Sequence, residues 1–486
     1  MPPLTLRRLI VAVTFLSLLA MATRVAVDSD TWWHLRAGAW MLEHGRPLTQ
    51  EVFTSTFAGQ PYDYPAWLSQ SALYLVFARW GFPGLNLFTA VMVTLAFAFV
   101  YAASTGPVYV RALAVILGAS ASAVFWSARP HIVSFVLAAA VLYVLDLFRR
   151  RGLNRLWALP LLIALWANSH PGYAIGLLLI GVTTAGEALK ALAGRRPWRT
   201  VAWLAGIGLV CVLALLLSPY GAKLWLYPLR VVSIDLLQDH IQEWQSPNFH
   251  MREAQVMIVL WLATAAAVGL SRRVLDLTDL LLLGSLLYLA LLAGRNVALF
   301  ALVAPPILTR HAQAVLEDLR GRYPRLLALL AGEPPSVSRF APALNGLLLG
   351  LVAVAAAVKM SLPLDPALNA RLTQAGMPVA AAEYLAAQQP AGPLFNPYHW
   401  GGYLEWVLPA YPVYIDGRTD VYDAAFFGEY IRLAAGLPDW AQILERHGVR
   451  LMLVETGSPL AGQAQQAPGW QRLYADEVAE VYERRP

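Results

Sequence analysis

The stretch from residue 9 to residue 36, LIVAVTFLSLLAMATRVAVDSDTWWHLR, joins an apolar run to two aspartates, two tryptophans and a histidine. Its apolar half, Leu9 to Ala22, follows Arg7 and Arg8 and is not followed by a small-residue cleavage site. These features predict a retained first membrane span rather than a secretory signal. The polar half then begins the long loop 27–66.

The apolar character continues through most of the chain. Of its 486 residues, 58% are hydrophobic and only 14% are charged, whereas soluble domains carry about 25% charged residues. The lone cysteine, Cys211, excludes an internal disulfide and a thiolate-based zinc site. Runs near the roughly 20 apolar residues that a helical span needs begin at Leu9, Gly84, Val108, Pro130, Leu156, Pro171, Val201, Ala254, Asp276, Asn296 and Leu344. The sequence therefore predicts a mainly α-helical, polytopic transmembrane bundle of about 11–13 spans.

Basic residues indicate how these spans are oriented. They cluster in alternate connections, at Arg7 and Arg8; at Arg149, Arg150, Arg151 and Arg155; at Lys190, Arg195, Arg196 and Arg199; at Arg272 and Arg273; and at Arg310, Arg320, Arg322 and Arg325. The positive-inside rule places these connections in the cytoplasm. We therefore expect a multi-pass cell (plasma) membrane protein with a cytoplasmic N-terminus, whose polar loops and C-terminal tail lie outside. The same rule accounts for the formal net charge of +6, so we expect no nucleic-acid partner.

The segment Trp67 to Trp80 does not fit this alternation. It is short for a span, and a crossing there would put the loop 27–66 and the tail on different sides of the bilayer. We therefore predict an interfacial or re-entrant path for it, with a true short span as the alternative.

The chain divides into two predicted domains. Residues 1–360 form the membrane domain, with its external loop 27–66, and residues 361–486 form a small extracytoplasmic α/β domain, which is long enough to bury its own core. In this tail the sequence predicts helices at Val379–Ala387 and Pro438–His447, and short buried strands at Val413–Ile415 and Leu451–Val454.

Asp28 and Asp30 are the first candidate site residues. Two carboxylates one residue apart, directly after a span, can ligate Mg²⁺ or Mn²⁺, and such an ion can neutralise a phosphate leaving group. Trp32 and Trp33 would then lie at the level of the lipid headgroups. The alternative is an aspartate N-cap on an interfacial amphipathic helix from Thr31 to Glu43.

Two motifs resemble those of a known family. Asp30-Thr-Trp-Trp-His-Leu-Arg36, followed by Gly45-Arg-Pro47, resembles the first-loop motif of the catalytic subunit of oligosaccharyltransferases and, more broadly, of the GT-C superfamily of membrane glycosyltransferases. In the tail, the stretch His399 to Tyr403 (HWGGY) resembles the Trp-Trp-Asp-Tyr-Gly region with which oligosaccharyltransferases hold an acceptor peptide. It departs from that region at Gly401, which stands where the family has its aspartate, and at His399, which stands where the family has a tryptophan.

The resemblance implies roles for particular residues. Asp30, with Asp28 beside it, would bind the metal or act as catalytic base, and Glu243 would approach the metal from a later external loop. Candidate ligands of the donor phosphate and sugar are His34, Arg36, Arg129, His170 and Arg295. Candidates for the acceptor side are His399, Trp400, Tyr403, Asp416 and Arg418.

Each of these roles has a structural alternative. Arg129 and Arg295 lie at span ends, where a guanidinium pairs well with a lipid phosphate but also snorkels to headgroups. Glu243 can be a solvated loop carboxylate, and His170 can cap a helix. Asp416 and Arg418 can form a surface ion pair at an Asp-Gly turn. The aromatic residues of the tail can be core or bilayer contacts.

The predicted function is glycosyl transfer in the cell envelope. A sugar would pass from a polyprenyl-phosphate-linked donor to a glycan, lipid or protein acceptor on the extracytoplasmic face, with inversion at the anomeric carbon. No phosphate-cradling glycine loop of a nucleotide-binding type is present, which favours a lipid-linked donor. The alternatives are a transporter or flippase for lipid-linked glycans and a non-catalytic scaffold with the same architecture.

Overall fold

A computed structural model describes residues 4–232, 241–322 and 341–485, so Arg325 of the last predicted basic loop lies outside the described residues. The helices are α1 (Leu6–Ala22), α2 (Asp30–His44), α3 (Trp67–Ala103), α4 (Val108–Ser122), α5 (His131–Arg151), α6 (Ala158–Ser169), α7 (Tyr173–Leu192), α8 (Trp198–Ala214), α9 (Tyr227–Val232), α10 (Arg252–Leu270), α11 (Leu277–Leu292), α12 (Val297–Arg322), α13 (Ala341–Ser361), α14 (Pro366–Gly376), α15 (Val379–Gln388), α16 (Gly401–Val407), α17 (Ala424–Ala434), α18 (Trp440–Arg446) and α19 (Pro459–Gln466). The strands are β1 (Leu394–Phe395), β2 (Leu451–Glu455), β3 (Trp470–Ala475) and β4 (Ala479–Arg484).

The membrane domain is a bundle of apolar helices. Each of the eleven predicted spans coincides with one of them, from α1 to α13. Within the described ranges, eight helices are long and apolar enough to cross a bilayer, and α6 and α11 are shorter apolar helices. The prediction of a polytopic helical membrane protein with a small C-terminal α/β unit is therefore confirmed.

The segment Trp67–Trp80 forms the first part of α3. The helix is broken at Gly81, whose φ of 60° and ψ of −155° are not helical, and Pro83 follows directly. Glycine tolerates this conformation, and proline lacks the N–H that would continue the helical ladder. The segment before the break packs against α2, where a Cβ on Gly38 would lie 2.2 Å from the carbonyl oxygen of Gln70. An interfacial or re-entrant path for this segment stays a prediction.

Helix α2 has the predicted position in the chain. Trp32 and Trp33 are buried inside the protein, and the ring of Trp32 lies 5.1 Å from that of Tyr403 in the tail. The two rings contact protein, and their depth at the level of the headgroups stays a prediction. A helix placed between the bundle and the tail buries both of its apolar sides against protein.

The tail contains a four-stranded sheet in the order β1-β2-β4-β3, in which β1 runs parallel to β2 and the other neighbours are antiparallel. Both predicted helices are present, as α15 and α18. The predicted strand Val413–Ile415 is not part of the sheet. Val413 instead pairs with the loop 27–66, since its N–H donates to Phe53 and its carbonyl accepts from Ser55. The apolar residues of the predicted strand are buried, as the sequence pattern indicates. The backbone that pairs with this segment, however, belongs to the loop 27–66 of the predicted membrane domain.

The core of the tail continues into the first loop. Trp32 and Leu35 of α2 belong to the same buried cluster as Leu394, Trp400 and Leu404. The division into domains at residue 361 stays a prediction. In the structure α2 and the tail share one hydrophobic core.

Candidate active site

Three carboxylates surround the guanidinium of Arg129, two residues before α5. Its Nε lies 3.0 Å from Asp28 Oδ2, its Nη1 lies 2.5 Å from Asp30 Oδ2, and its Nη2 lies 3.0 Å from Glu243 Oε2. The four side chains come from three separate parts of the chain, which the fold brings to one end of the bundle. We call these four residues the Arg129 cluster.

Local structure fixes the two aspartates. Helix α2 begins at Asp30, and its N-cap residue Ser29 makes no side-chain capping bond. The backbone N–H of Asp30 donates to Asp28 Oδ1 at 3.1 Å. Asp28 therefore supports the start of the helix with one oxygen and binds Arg129 with the other. The prediction of an aspartate N-cap is wrong, because Ser29 occupies that position.

A short turn, Gln242–Trp244, carries Glu243 to the cluster. The carbonyl of Gln245 accepts a hydrogen bond from the N–H of Gly294 at 2.9 Å, which ties this turn to the segment before α12. In the same place the guanidinium of Arg295 lies over the ring of Trp244, 4.4 Å from its centre. A second cation is thus held beside Glu243.

The tail closes over Asp30 with the turn around Gly417. A Cβ on Gly417 would lie 2.1 Å from Asp30 Oδ1 and 3.2 Å from Trp33 Nε1, so a side chain at this position would displace that carboxylate. The hydroxyl of Tyr398 donates to the carbonyl of Gly417 at 3.0 Å and holds the turn. Trp33 Nε1 is buried and makes no hydrogen bond to any described residue. An unused donor therefore lies next to the aspartate.

Charge and burial set the protonation of the cluster. Burial raises the pKa of Asp30 to about 6, with help from the charges of Asp28 and Glu243 and against the attraction of Arg129. Burial also favours a higher pKa for Glu243, but Arg129 and Arg295 outweigh it and lower that pKa. The four side chains keep 17–34% of their surface exposed, so a substrate can reach them. A carboxyl with a pKa of about 6 exchanges its proton close to neutral pH.

The other predicted donor ligands are placed differently. Arg36 lies over the ring of Phe53 and 3.8 Å from Glu43, and its predicted contact with the donor phosphate stays a prediction. His34 is buried and lies 3.1 Å from Gln70, and burial together with Arg129 holds its pKa well below the usual range.

His170 is also kept neutral. It lies 2.7 Å from Ser134, and burial, with His131 and the nearby arginines, keeps its pKa well below the usual range. A neutral histidine can orient a sugar hydroxyl but adds no charge for phosphate.

Asp416 and Arg418 form a second ion cluster. Arg418 pairs with Asp416 at 2.5 Å, with Glu51 at 2.6 Å and with Glu405 at 3.2 Å, and all four side chains are at most 1% exposed. We call them the Arg418 cluster. The predicted ion pair is present, but it is buried and not on the surface. The cluster joins the loop 27–66 to the tail in the protein interior.

The remaining acceptor candidates surround Gly401. Trp400 and Tyr403 are buried, whereas the side chain of His399 is 44% exposed and lies 3.3 Å from Glu455. A Cβ on Gly401 would lie 2.2 Å from the carbonyl oxygen of Ile415. No side chain fits at this position, so the aspartate of the oligosaccharyltransferase motif has no room here.

The carboxylates of the Arg129 cluster are chemically suited to bind a divalent cation. They offer only oxygen donors, which Mg²⁺ and Mn²⁺ prefer, and their three charges exceed that of Arg129. Within the described ranges, however, no three His, Cys, Asp or Glu side chains are close enough together to hold an ion. Arg129 takes one oxygen from each carboxylate. A bound ion would compete with Arg129 for those oxygens.

Several residues of this region carry no recognisable sequence signal. Glu51 and Glu405 are isolated acidic residues, and only the fold shows that they share Arg418. Gly417 is visible in the sequence as part of an Asp-Gly turn, but its contact with Asp30 joins positions that are almost the whole chain apart. Trp33 belongs to the aspartate motif, but its position next to Gly417 has no signal in the sequence.

The fold is that of GT-C glycosyltransferases. The apo crystal structure of the oligosaccharyltransferase of Archaeoglobus fulgidus matches with a TM-score of 0.59 at 13% identity, over 98% of this chain and 74% of that one. The structure of AglB from the same organism, bound to an inhibitory peptide and a dolichol-phosphate, matches at 0.57 and 12%, with the same coverage. Arabinofuranosyltransferase AftD from Mycobacteria matches at 0.55 and 18%, over 99% of this chain and 40% of that one.

These matches are at the level of structure. No family model matches the sequence, and a search of curated proteins finds no match. The predicted resemblance to the GT-C superfamily, and distantly to oligosaccharyltransferases, is confirmed for the fold.

Proposed function

We propose that this protein is an integral membrane glycosyltransferase that moves a sugar from a polyprenyl-phosphate-linked donor to an acceptor on the extracytoplasmic face. The observation that carries the proposal is the Arg129 cluster. It combines a proton acceptor with a raised pKa, an arginine and a second cation within one partly exposed site. The GT-C fold supports it, because the matched structures of that fold are glycosyltransferases.

The reaction is a single displacement at the anomeric carbon. An acceptor hydroxyl or amide gives its proton to Asp30 and forms the new bond to that carbon, while the bond to the phosphate oxygen breaks and its electron pair leaves with the polyprenyl phosphate. Arg129 and Arg295 stabilise the charge on the departing phosphate. A Mg²⁺ or Mn²⁺ ion held by Asp28 and Asp30 would add positive charge at the same place.

A cavity beside Asp28 offers a route for the donor. It has a volume of about 270 Å³ and is lined by Arg24, Asn86 and Trp126 besides Asp28. The guanidinium of Arg24 lies over the ring of Trp126, 5.0 Å from its centre. An arginine next to apolar walls suits a phosphate that carries a long hydrocarbon chain. We therefore propose that the lipid enters here and brings its phosphate to Arg129.

The acceptor is proposed to differ from an Asn-X-Ser/Thr peptide. Gly401 has no space for the aspartate with which the resembling motif holds such a peptide. The exposed group on this side is His399, and Trp400 and Tyr403 contribute to the core beneath it. A hydroxyl acceptor, as in a glycan or lipid, needs no amide-binding carboxylate and fits this surface better.

The decisive experiment compares two variants of the first loop. Purified protein in lipid nanodiscs is incubated with radiolabelled polyprenyl-phosphate sugars and either Mg²⁺, Mn²⁺ or EDTA. Asp30→Asn is expected to abolish release of the sugar, because the site loses its proton acceptor. Asp63→Asn is the matched control, since Asp63 lies on the same loop and pairs with Lys223 at 2.7 Å.

The outcomes separate the candidate functions. Sugar release that depends on Asp30 supports transfer, whereas movement of intact donor across the bilayer supports a transporter or flippase. A folded protein that does neither supports a scaffold. Activity lost in EDTA and restored by Mn²⁺ supports the cation, and activity indifferent to both contradicts it.

The face of the membrane is tested by thiol labelling. The native Cys211 is buried, so a single introduced cysteine reports its own location. Glu477→Cys in the tail is expected to react with an impermeant reagent added to intact cells, and Arg199→Cys is expected to react only after lysis. The reverse pattern would contradict an extracytoplasmic site.

A further inference from the structure

Charged residues also meet at the opposite end of the bundle, where α5 and α7 end and α11 begins. Arg149 is buried and pairs with Glu187 at 3.1 Å, with Asp276 at 2.6 Å and with Asp279 at 3.2 Å. Arg310 of α12 pairs with Asp279 at 2.6 Å. The sequence indicated only topogenic basic loops here. The structure shows an interior ion network that fixes four helices to one another.

This network carries more positive than negative charge. Its cations are Arg149, Arg150, Arg151, Lys190, Arg196 and Arg310, and its carboxylates are Asp146, Glu187, Asp276 and Asp279. Six cations against four carboxylates leave a formal charge of +2. The excess lies at the solvent-facing side of the network, because the side chains of Arg151 and Arg196 are each 37% exposed. Excess positive charge at an accessible position attracts an anion.

A cavity of about 520 Å³ opens on the network. Lys190, Arg310 and His311 line it with buried side chains, and His311 Nδ1 makes no hydrogen bond to any described residue. Arg195 and Arg273 line its mouth, are exposed and form no ion pair with any described residue. These two arginines raise the local excess to four positive charges.

The cavity wall is amphipathic. Val274, Leu275, Leu277 and Leu280 line it beside the cations, and Val274 and Leu280 are exposed. The volume lies within the usual range for sites of small ligands. Fixed guanidinium groups are suited to phosphate oxygens, and basic pockets between membrane helices on the cytoplasmic side hold anionic headgroups.

We propose that this pocket binds a phosphate group, supplied by an anionic phospholipid headgroup or by a soluble phosphoryl compound. The phosphate contacts Arg195 and Arg273 at the mouth and Lys190 and Arg310 inside. An attached acyl chain lies along the leucine and valine side chains. The site is separate from the Arg129 cluster and does not depend on glycosyl transfer.

The test titrates the delipidated full-length protein with three probes: short-chain phosphatidylglycerol below its micelle concentration, short-chain phosphatidylcholine and inorganic pyrophosphate. A double variant with Arg195→Gln and Arg273→Gln removes the two arginines at the mouth of the cavity. The control is the double variant with Arg199→Gln and Arg272→Gln. It removes the same amount of charge from positions close in sequence to the first two arginines, and neither Arg199 nor Arg272 lines the cavity. Equal unfolding temperatures without ligand show that both variants fold.

The expected result is that phosphatidylglycerol binds and phosphatidylcholine does not, with affinity about tenfold or more lower in the first variant. The control variant is expected to lose less than twofold. Pyrophosphate binding with the same dependence on the two arginines identifies a soluble phosphate as a ligand, and its absence restricts the site to lipid. Equal losses in the two variants, or no binding of either anion, would overturn the proposal.

Discussion

The Arg129 cluster and the Arg418 cluster have the same composition, one arginine and three carboxylates, but different surroundings. Around Arg129 the side chains keep 17–34% of their surface exposed, whereas around Arg418 they keep at most 1%. The two clusters are neighbours, because Gly417, which lies between Asp416 and Arg418 in the chain, touches Asp30 of the first cluster. Exposure, not composition, therefore separates a site that can accept a substrate from a group that holds two parts of the chain together.

The largest expected effect is that of Arg418→Gln on stability. Loss of this guanidinium leaves Glu51 and Asp416 buried without a counter-charge, which costs about 3–5 kcal/mol in the free energy of unfolding. The decrease is measured by chemical unfolding in nanodiscs with tryptophan fluorescence. Arg432→Gln, which breaks an exposed pair with Asp439, is the control and is expected to cost about 0–1 kcal/mol. Similar losses in both variants would show that the Arg418 cluster is not the link between loop and tail.

The second effect is that of Arg129→Gln on catalysis. Without the guanidinium the departing phosphate loses its nearest positive charge, and kcat is expected to fall by about 10²–10³-fold. The unfolding free energy should change less than in Arg418→Gln, since solvent reaches the Arg129 cluster. Arg36→Gln is the matched control on the first loop, because Arg36 lies at Phe53 and Glu43. Turnover that survives in Arg129→Gln but fails in Arg36→Gln would reverse the assignment.

Sequence reasoning succeeded where the physical signal is local. Each of the eleven apolar runs coincides with a helix of the described residues, eight of which are long and apolar enough to cross a bilayer, and the aspartate motif located α2. It failed where partners are distant in the chain. Val413 and Phe53 bind each other across the two predicted domains, and Trp32 is covered by Tyr403 rather than by lipid. Neither pairing leaves a pattern in the sequence of either partner.

The two ion clusters show the same limit for the site. Arg129 is a candidate from its position at a span end, Asp30 and Glu243 are candidates through the resemblance to GT-C enzymes, and the fold brings the three together. Asp416 and Arg418 were named from an equally polar motif and are buried. Burial depends on what packs on top, here Glu51 of the first loop and Glu405 of α16, and the local sequence does not contain that information.

The third effect is a pH dependence of kcat/KM that arises from Asp30 in the Arg129 cluster. Asp30 must be ionised to accept a proton, and its pKa is raised to about 6. The value of kcat/KM is therefore expected to fall about tenfold between pH 7 and pH 5. Asp28→Asn should shift this limb to lower pH, because the charge of Asp28 raises the pKa of Asp30. A flat profile, or a shift to higher pH in Asp28→Asn, would argue against Asp30 as the base.

The smallest expected effect is that of Glu405→Gln on stability. Burial, with Asp416 and Glu51 nearby, raises the pKa of Glu405 well above its usual range, whereas Arg418 lowers that of Asp416. These shifts favour the neutral carboxylic acid form of Glu405, whose Oε2 makes no hydrogen bond to any described residue. Glutamine places an N–H donor where the carboxylic acid has its O–H, so the change at pH 5 should be below about 1 kcal/mol.

The pH dependence of that variant gives the sharper test. A carboxyl whose pKa is higher in the folded state than in the unfolded chain contributes stability at low pH, and this contribution is lost as pH rises from the unfolded pKa of about 4.3 through the folded value. Glutamine does not titrate. The unfolding free energy of the wild type, relative to Glu405→Gln, should therefore decrease steadily between pH 5 and pH 8. If the wild type instead gains stability over the variant in this range, Glu405 is ionised, and the Arg418 cluster carries all three negative charges in the protein interior.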